Sequence, residues 1–421
     1  MPSSQRAAHS SAARQDAPSE PLMISFVEFV CLTASLMALT ALAIDIMLPA
    51  LPDIASSFGV QSENDRQLVV ILYMAGFALG QIFFGPLSDH FGRKPMLMAG
   101  LAVFIVGTVA ALWASSFETL LAARLVQGVG AASPRIIAIA VVRDLYAGRQ
   151  MARVMSFAMM VFITVPVLAP SVGQALLHIG NWHWIFFVLL AMATVVAVWS
   201  GVRLPETARP ALGAERPLTI RQSLATALLN PVTMGYAVCG GFMFASLLAY
   251  VASAQQIFVE VFGIGDIFPV VFGAIALAIA AASFVNARLV GQLGMRRVSH
   301  SALCGSIFVS LLLAIAAYVG AVGFATFAVA LAVDFFLFGL IAPNFNALAM
   351  EPQGHNAGMA SSVVGAFGTA VGALAGGLIA RAFDGSVFPI AAGFAICSLI
   401  TSAIVLAVEG RSGLFGRNRT A

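Results

Sequence analysis

Three ionisable side chains lie inside long apolar segments of this 421-residue chain, namely Asp45, Arg124 and Asp334. A charge at the centre of a membrane-spanning helix costs about 2.5–3.5 kcal/mol on insertion scales, so such residues usually face a partner or a water-filled cavity. Because arginine stays protonated in proteins, a proton that moves here must be carried by a carboxylate. Proton transfer is therefore the chemistry that these residue types allow.

Each of the three positions also has a purely structural explanation. Asp45 precedes Pro49, which interrupts the helix, so its carboxylate could be solvated from the outer surface. Arg124 follows Glu118, which marks the outer boundary of its segment, and its long side chain could extend to that surface. For Asp334 a bound cation, a second proton site and a satisfied structural acid all stay open, and we favour the last.

The composition predicts a helical membrane protein. Charged residues make up only 9% of the chain and hydrophobic residues 60%, which is far from the proportions of soluble domains. Apolar segments of about 20 residues suffice to span a hydrocarbon layer of about 30 Å as helices, and the shorter alternating segments of a β-barrel do not fit them. The four cysteines lie within apolar segments without disulfide or metal-ligand spacing, so we expect neither a disulfide nor a metal site.

We count twelve apolar segments, and one polar stretch between the sixth and the seventh divides them into two sets of six. The predicted parts follow from this division. They are a disordered tail (1–22), a first six-helix bundle (23–203), a linker (204–222), a second six-helix bundle (223–410) and a tail (411–421). The expected fold class is therefore all-α, with twelve transmembrane helices in two pseudo-symmetric bundles.

The basic residues predict the orientation of the chain. Only Arg66 and Arg381 fall in predicted outer loops, and Arg124 and Arg135 lie within a span; the other basic residues occupy segments on the side of the two termini. Lys and Arg near helix ends are enriched on the cytoplasmic side. We therefore expect a multi-pass protein with both termini in the cytoplasm.

The segment Gly85–Pro95 joins the second and third apolar segments and contains glycine, proline and several ionisable residues. By itself it indicates a short charged hairpin at the membrane surface. Its order of residue types resembles the loop between spans two and three of the major facilitator superfamily. The matching residues include Gly85, Asp89, Gly92, Arg93 and Lys94. The resemblance implies a conformational latch in which Asp89 meets the amino end of span eleven, where the helix dipole favours an anion.

The second half contains a weaker copy of this segment at residues 286–297. The copy matches at a leucine, at the glycine Gly294 and at a basic pair, while Gln292 does not clearly correspond to Asp89. Two related bundles about an axis normal to the membrane are the architecture that the superfamily uses. The copy therefore supports two pseudo-symmetric halves.

Spans one and four resemble those of the drug–proton antiporters within this superfamily. In span one the similar pattern is Asp45, then Pro49, then a Leu-Pro pair. In span four it is Arg124 followed by Gln127 and Gly128. The resemblance implies that Asp45 binds the coupled proton and that Arg124 modulates a buried acid. The glycine would let span four approach a neighbouring helix.

Span five resembles the antiporter motif of the superfamily at Pro170 and Gly173, although Val165, Ala169 and Gln174 stand where glycines are usual. These prolines and glycines predict bending and close packing. The segment from Arg124 to Gln174 is most similar to the Bcr/CflA multidrug resistance subfamily.

The resemblance implies a proton-coupled exporter of drug-like or other weakly polar small molecules, located in a bacterial inner membrane and acting as a monomer by alternating access. The expected partners are the substrate, protons and the bilayer, with no nucleic acid. No cofactor is expected, since no nucleotide-binding motif occurs and a proton gradient would drive transport. The alternatives are a proton-linked importer, an exporter of an endogenous metabolite and, least favoured, an intramembrane enzyme.

Overall fold

The computed structural model describes residues 24–146, 148–207 and 220–413. Twelve long helices dominate these residues, and we label them α1 to α12. They are α1 (Phe26–Asp45), α2 (Leu68–Phe91), α3 (Arg93–Leu112), α4 (Phe117–Leu145), α5 (Gly148–Ile179), α6 (His183–Arg203), α7 (Pro231–Gln255), α8 (Phe268–Leu293), α9 (Met295–Tyr318), α10 (Phe324–Met350), α11 (Ala357–Arg381) and α12 (Phe388–Gly413). Short helices at Leu51–Ser57 and Ile220–Leu229 precede α2 and α7.

The length and composition of these helices agree with the membrane prediction. Eleven helices of the described residues are long and apolar enough to cross a bilayer, and the apolar part of α5 is the shorter segment Thr164–Ile179. A helix satisfies its own backbone hydrogen bonds, which is the requirement for a segment surrounded by lipid. The predicted tail 1–22 and most of the predicted linker and second tail lie outside the described residues.

The same pairs of helices pack together in both halves. The pairs α1–α5, α2–α4, α3–α4 and α3–α6 correspond to α7–α11, α8–α10, α9–α10 and α9–α12. Between the halves, α2 packs against α11 and α5 against α8. This repeated pairing is that of two pseudo-symmetric bundles of six helices.

The predicted charged hairpin at Gly85–Pro95 is almost entirely helical. Helix α2 continues through Pro86 to Phe91, and α3 begins at Arg93. Gly92 alone separates them, with φ 101° and ψ 152°. Its counterpart Gly294 separates α8 from α9 with φ 85° and ψ 158°. Because L side chains rarely adopt this backbone region, both chain reversals depend on glycine.

We name the end of the molecule that holds Gly92 and Gly294 the inner end, after the predicted topology, and the opposite end the outer end. Between these two ends, helices α2 and α4 pack closely against each other. A Cβ atom on Gly128 of α4 would collide with the backbone carbonyl of Tyr73 in α2. This contact explains how α4 comes near enough to α2 for Arg124 to reach the backbone of α2.

Candidate functional site

Arg124 is completely buried and is held by main-chain oxygens of two other helices. Its Nε donates to the carbonyl of Val69 in α2 at 3.1 Å, and its Nη2 donates to the carbonyl of Ala43 in α1 at 3.0 Å. The Nη1 atom donates to Gln127 Oε1 at 2.5 Å, and the guanidinium lies 4.4 Å from the ring centroid of Tyr73. The arginine therefore ties α1, α2 and α4 together.

The predicted helix residue Gln127 extends this arrangement. Its side-chain nitrogen donates to Thr108 Oγ1 in α3 at 2.8 Å, and both residues are fully buried. Arg124, Gln127 and Thr108 thus form a hydrogen-bonded chain from α4 into α3. A carboxamide is a suitable link, because it accepts from the arginine and donates to the hydroxyl at the same time.

Asp45 is the last residue of α1 and is only 5% exposed. Among the described residues, no side chain forms a hydrogen bond or an ion pair with its carboxylate. Arg124 instead binds the carbonyl of Ala43, two residues earlier on the same helix. Two tyrosines, Tyr73 and Tyr250, lie close enough to Asp45 to interact with it electrostatically.

The two tyrosines come from different halves of the molecule. Tyr73 is in α2 and donates to the carbonyl of Thr40 at 3.1 Å. Tyr250 is in α7, is 2% exposed, and its hydroxyl has no hydrogen-bond partner among the described residues. Phe272 stacks on its ring at 5.3 Å between centroids, and Phe335 meets it edge-on at 4.9 Å. Asp45 is therefore a carboxylate without a cation at the boundary between the two halves.

The predicted bending residues of α1 and α5 lie together. Pro49 is in the 3-10 turn Leu48–Ala50 that follows Asp45. A Cβ atom on Gly173 would collide with the carbonyl of Ile46 and lie 3.2 Å from Pro49 Cγ. Pro170 is inside α5, one turn before Gly173. The glycine thus allows α5 to contact the break in the chain directly after Asp45.

At the inner end, Arg93 joins the ends of several helices. It pairs with Asp89 at 2.5 Å and with Asp144, at the end of α4, at 2.9 Å. The carboxylate of Glu206, just after α6, accepts from the backbone N–H groups of Arg93 at 2.8 Å and Lys94 at 3.1 Å. These N–H groups belong to the first turn of α3. A negative charge at this position stabilises a helix, because its amino end carries a partial positive charge.

Asp89 faces the second half at this end. Its Oδ2 atom lies 3.8 Å from the position of a Cβ on Gly358, in the first turn of α11. A Cβ on Gly85 would collide with Ser362 of the same helix. The structure therefore places the signature residues beside α11, while their action as a latch stays a prediction.

The second half contains an equivalent cluster at its inner end. Arg296, in the first turn of α9, pairs with Glu351 at 2.7 Å and with Glu409 of α12 at 2.8 Å. Tyr236 of α7 donates to the same Glu409 at 2.8 Å. The pairing of Arg93 with the end of α4 is thus repeated by Arg296 and the residue that follows α10.

The outer end is closed by polar contacts between the halves, which we call the outer network. Four consecutive residues of the first half, 64–67, contribute to it, and their partners are in the second half. Asn64 donates to the backbone carbonyls of Arg381 at 3.0 Å and Phe383 at 2.8 Å. Two ion pairs follow, Asp65 with Arg381 at 2.9 Å and Arg66 with Glu260. The side chain of Gln67 donates to Gln256, whose own amide nitrogen donates to Asn64 at 3.0 Å. Gln256 and Glu260 belong to a π-helical turn, Gln256–Val261, that continues α7.

Sequence patterns identified the intramembrane charges but missed most of this outer network. Arg66 and Glu260 fall in outer loops, where a charge is ordinary, and their spacing does not indicate that they meet. The available signal was the run of seven polar residues, 61–67, directly before α2. The role of Glu206 was also not predicted, because a single acidic residue in a polar linker carries no signal for a contact with another helix.

Comparisons with known proteins agree with this architecture. Residues 33–377 match the family model described as the Major Facilitator Superfamily. The chain is 30% identical to a Bicyclomycin resistance protein homolog of Haemophilus influenzae, over 84% of this chain and 88% of that protein. It is 29% identical to Multidrug resistance protein D of Escherichia coli, over 80% and 85% of the two chains.

Two solved structures show the same fold at low identity. One is the xylose transporter XylE of E. coli in a partially occluded inward-open conformation, with a TM-score of 0.70, 12% identity, and coverage of 93% of this chain and 99% of that chain. The other is the human organic anion transporter MFSD10, with a TM-score of 0.64, 18% identity, and coverage of 90% and 99%. From its helix pairing, its matched family model and these relatives, the chain belongs to the Major Facilitator Superfamily.

Proposed function

We propose that this protein is a proton-coupled efflux transporter that exports drug-like or other weakly polar small molecules by alternating access. The observation that carries the proposal is Asp45, a buried carboxylate without a cation at the boundary between the halves. Burial opposes the charged form of such a group. Asp45 would therefore bind a proton when the outer end opens and release it when the inner end opens.

The network at the outer end supports alternating access. In this conformation several contacts hold the halves together at the outer end, including the Arg66–Glu260 pair. For Asp45 to exchange a proton with the outer side, these contacts must open. The fourfold connection of Arg124 keeps α1, α2 and α4 as one unit while they do so.

The substrate class follows from the few charges near the centre and from the names of the relatives. Tyr250, Phe272 and Phe335 form a buried aromatic cluster beside the boundary between the halves, which would offer an apolar wall to a weakly polar molecule when the halves separate. The similar proteins are named for resistance to bicyclomycin and to multiple drugs. We infer a bacterial inner-membrane location, cytoplasmic termini and a monomeric transport unit.

The membrane potential is a sufficient energy source. It supplies about 2.3 kcal/mol per elementary charge for each 100 mV. At a membrane potential of about 100 mV, one net inward charge per cycle would therefore sustain a substrate gradient of roughly fifty-fold, since every 1.4 kcal/mol is a factor of ten.

Transport into inside-out vesicles tests the proposal. With the vesicle interior acidified, an exporter takes substrate up, and Asp45→Asn should reduce this uptake by about tenfold or more, a loss of about 1.4 kcal/mol of coupling. Asp53→Asn is the matched control, because Asp53 is an exposed aspartate just beyond Asp45 at the outer end. Uptake that requires an alkaline interior would identify an importer. Equal uptake by the wild type and Asp45→Asn would contradict coupling through Asp45.

A further inference from the structure

Asp334 occupies the position in the second half that Gln127 occupies in the first. Gln127 is the eleventh residue of α4, and Asp334 is the eleventh residue of α10. Gln127 bonds to Thr108 of α3, and Asp334 bonds to Ser306 of α9. The helix pairs α3–α4 and α9–α10 are equivalent. An ionisable side chain in the second half therefore replaces a neutral amide in the first.

Asp334 accepts a hydrogen bond from one serine hydroxyl, which in turn contacts a second serine hydroxyl. The distance from Ser306 Oγ to Asp334 Oδ1 is 2.5 Å, and the distance from Ser306 Oγ to Ser398 Oγ of α12 is 3.2 Å. Asp334 is 5% exposed and the two serines are almost completely buried. The cluster joins α9, α10 and α12 about 15 Å from the outer end of α10, at a rise of about 1.5 Å per residue.

No described basic side chain lies within 4.0 Å of the Asp334 carboxylate. The charged residues of the helices packed around it are toward the inner end or, for one arginine, at the outer end. The other ionisable groups on those helices are phenols and thiols. The charged set is Arg288, Arg296, Arg297, His300, Arg381, Glu409 and Arg411, and the other set is Tyr236, Cys239, Tyr250, Cys304, Tyr318 and Cys397.

The hydroxyl chain of Ser306 and Ser398 can pair with both the charged and the protonated form of Asp334. When Asp334 is ionised, Ser306 donates to it and Ser398 can donate to Ser306. When Asp334 is protonated, its O–H donates to Ser306, which then donates to Ser398.

We propose that Asp334, Ser306 and Ser398 form a second protonation site, located within the second half and separate from Asp45. A buried carboxylate with one hydroxyl donor and no cation is poorly compensated as an anion, and the reversible hydroxyl chain satisfies both of its forms. Among the described residues no group of three or more His, Cys, Asp or Glu side chains could hold a metal ion. We assign a proton as the ligand, because the hydroxyl chain can pair with both the charged and the neutral carboxyl group.

Proton binding here does not require the proposed transport, but coupling of this proton to export rests on the proposed function. Infrared difference spectroscopy of the purified protein in lipid tests the binding without transport. The measurement uses an Asp45→Asn background, so that this acid contributes no signal. We expect a carbonyl band of a protonated, buried carboxylic acid that disappears in Asp334→Asn.

A second variant keeps the test decisive if Asp334→Asn folds poorly. Ser306→Ala retains the acid and removes its hydrogen-bond partner, so the same band should remain and shift in frequency. A spectrum without such a band, or a band unchanged in both variants, would overturn the proposal. If the band behaves as expected while vesicle uptake does not depend on a proton gradient, the proposed function fails and this site stands.

Discussion

Arg124 shows how a permanent charge is accommodated in the interior of the first half. Its donors meet the carbonyls of Val69 and Ala43 and the side chain of Gln127, and its flat face lies over Tyr73. Hydrogen bonds to charged groups contribute about 1.5–3 kcal/mol each. The guanidinium is needed here for its planar, forked shape. The compact ammonium of a lysine cannot reach the carbonyls of two different helices and the Gln127 amide at the same time.

Arg124→Lys should therefore lower both thermal stability and transport. The ammonium would leave at least one carbonyl unpaired, at a cost of about 1–3 kcal/mol. The melting temperature in detergent and the rate of proton-driven uptake are the two readouts. Arg288→Lys is the control, since Arg288 is an exposed arginine near the inner end of α8. Wild-type values for Arg124→Lys would show that charge alone is sufficient.

Single residues were predictable where their type was unusual for their surroundings. Asp45, Arg124 and Asp334 stand out as charges among apolar residues, and the structure finds all three buried. Their partners were not predictable, because a backbone carbonyl or a serine on another helix leaves no pattern in the sequence. Arg124 is thus bonded to the carbonyl of Ala43, whereas the resemblance implied only that it modulates a buried acid.

Among the helices, the α2–α4 contact depends on the absence of a side chain at Gly128. A Cβ there would collide with the Tyr73 carbonyl. Gly128→Ala should separate these helices, weaken the hold of Arg124 on the backbone of α2 and lower the melting temperature. Gly240→Ala in α7 is the matched control, because a Cβ at that position meets nothing within 4 Å.

The control has its own expected result. Alanine is favoured over glycine within a helix by about 0.5–1 kcal/mol, so Gly240→Ala should leave the melting temperature unchanged or raise it. Equal melting temperatures for the two variants would show that the α2–α4 contact is loosely packed.

The existence of the helices followed from apolar length, but some of their ends did not. Charged residues in Gly85–Pro95 suggested a surface hairpin, whereas α2 continues to Phe91. The reason is that Arg93 pairs with both Asp89 and Asp144, so these charges do not require an extended loop. Packing partners decided the boundary, and the sequence of one segment does not contain them.

For the whole molecule, the outer network sets the balance between conformations. Glu260→Gln removes the charge that pairs with Arg66 and should shift the population toward an open outer end. Loss of about 1.4 kcal/mol would change the ratio of conformations by roughly tenfold. The distance between spin labels at Ser62→Cys and Asp384→Cys measures the shift, in a background without the four native cysteines.

These two label positions face the same outer crevice of about 340 Å³, one from each half. We expect a longer distance distribution in Glu260→Gln than in the unsubstituted protein. Asp53→Asn, outside the network, should leave the distribution unchanged. A shift of equal size in both variants would assign the effect to surface charge in general.

The π-helical turn Gln256–Val261 carries two of the side chains that connect the halves at the outer end, Gln256 and Glu260. Such a turn contains one residue more than an α-helical turn. Tightening it to α-helical geometry would rotate everything beyond it by about 100°, the angle between successive residues. Glu260, near the end of the turn, would then swing away from Arg66. Rewinding a single turn would thus break this charged contact across the outer end, while Gln256, at the start of the turn, would stay paired with Gln67.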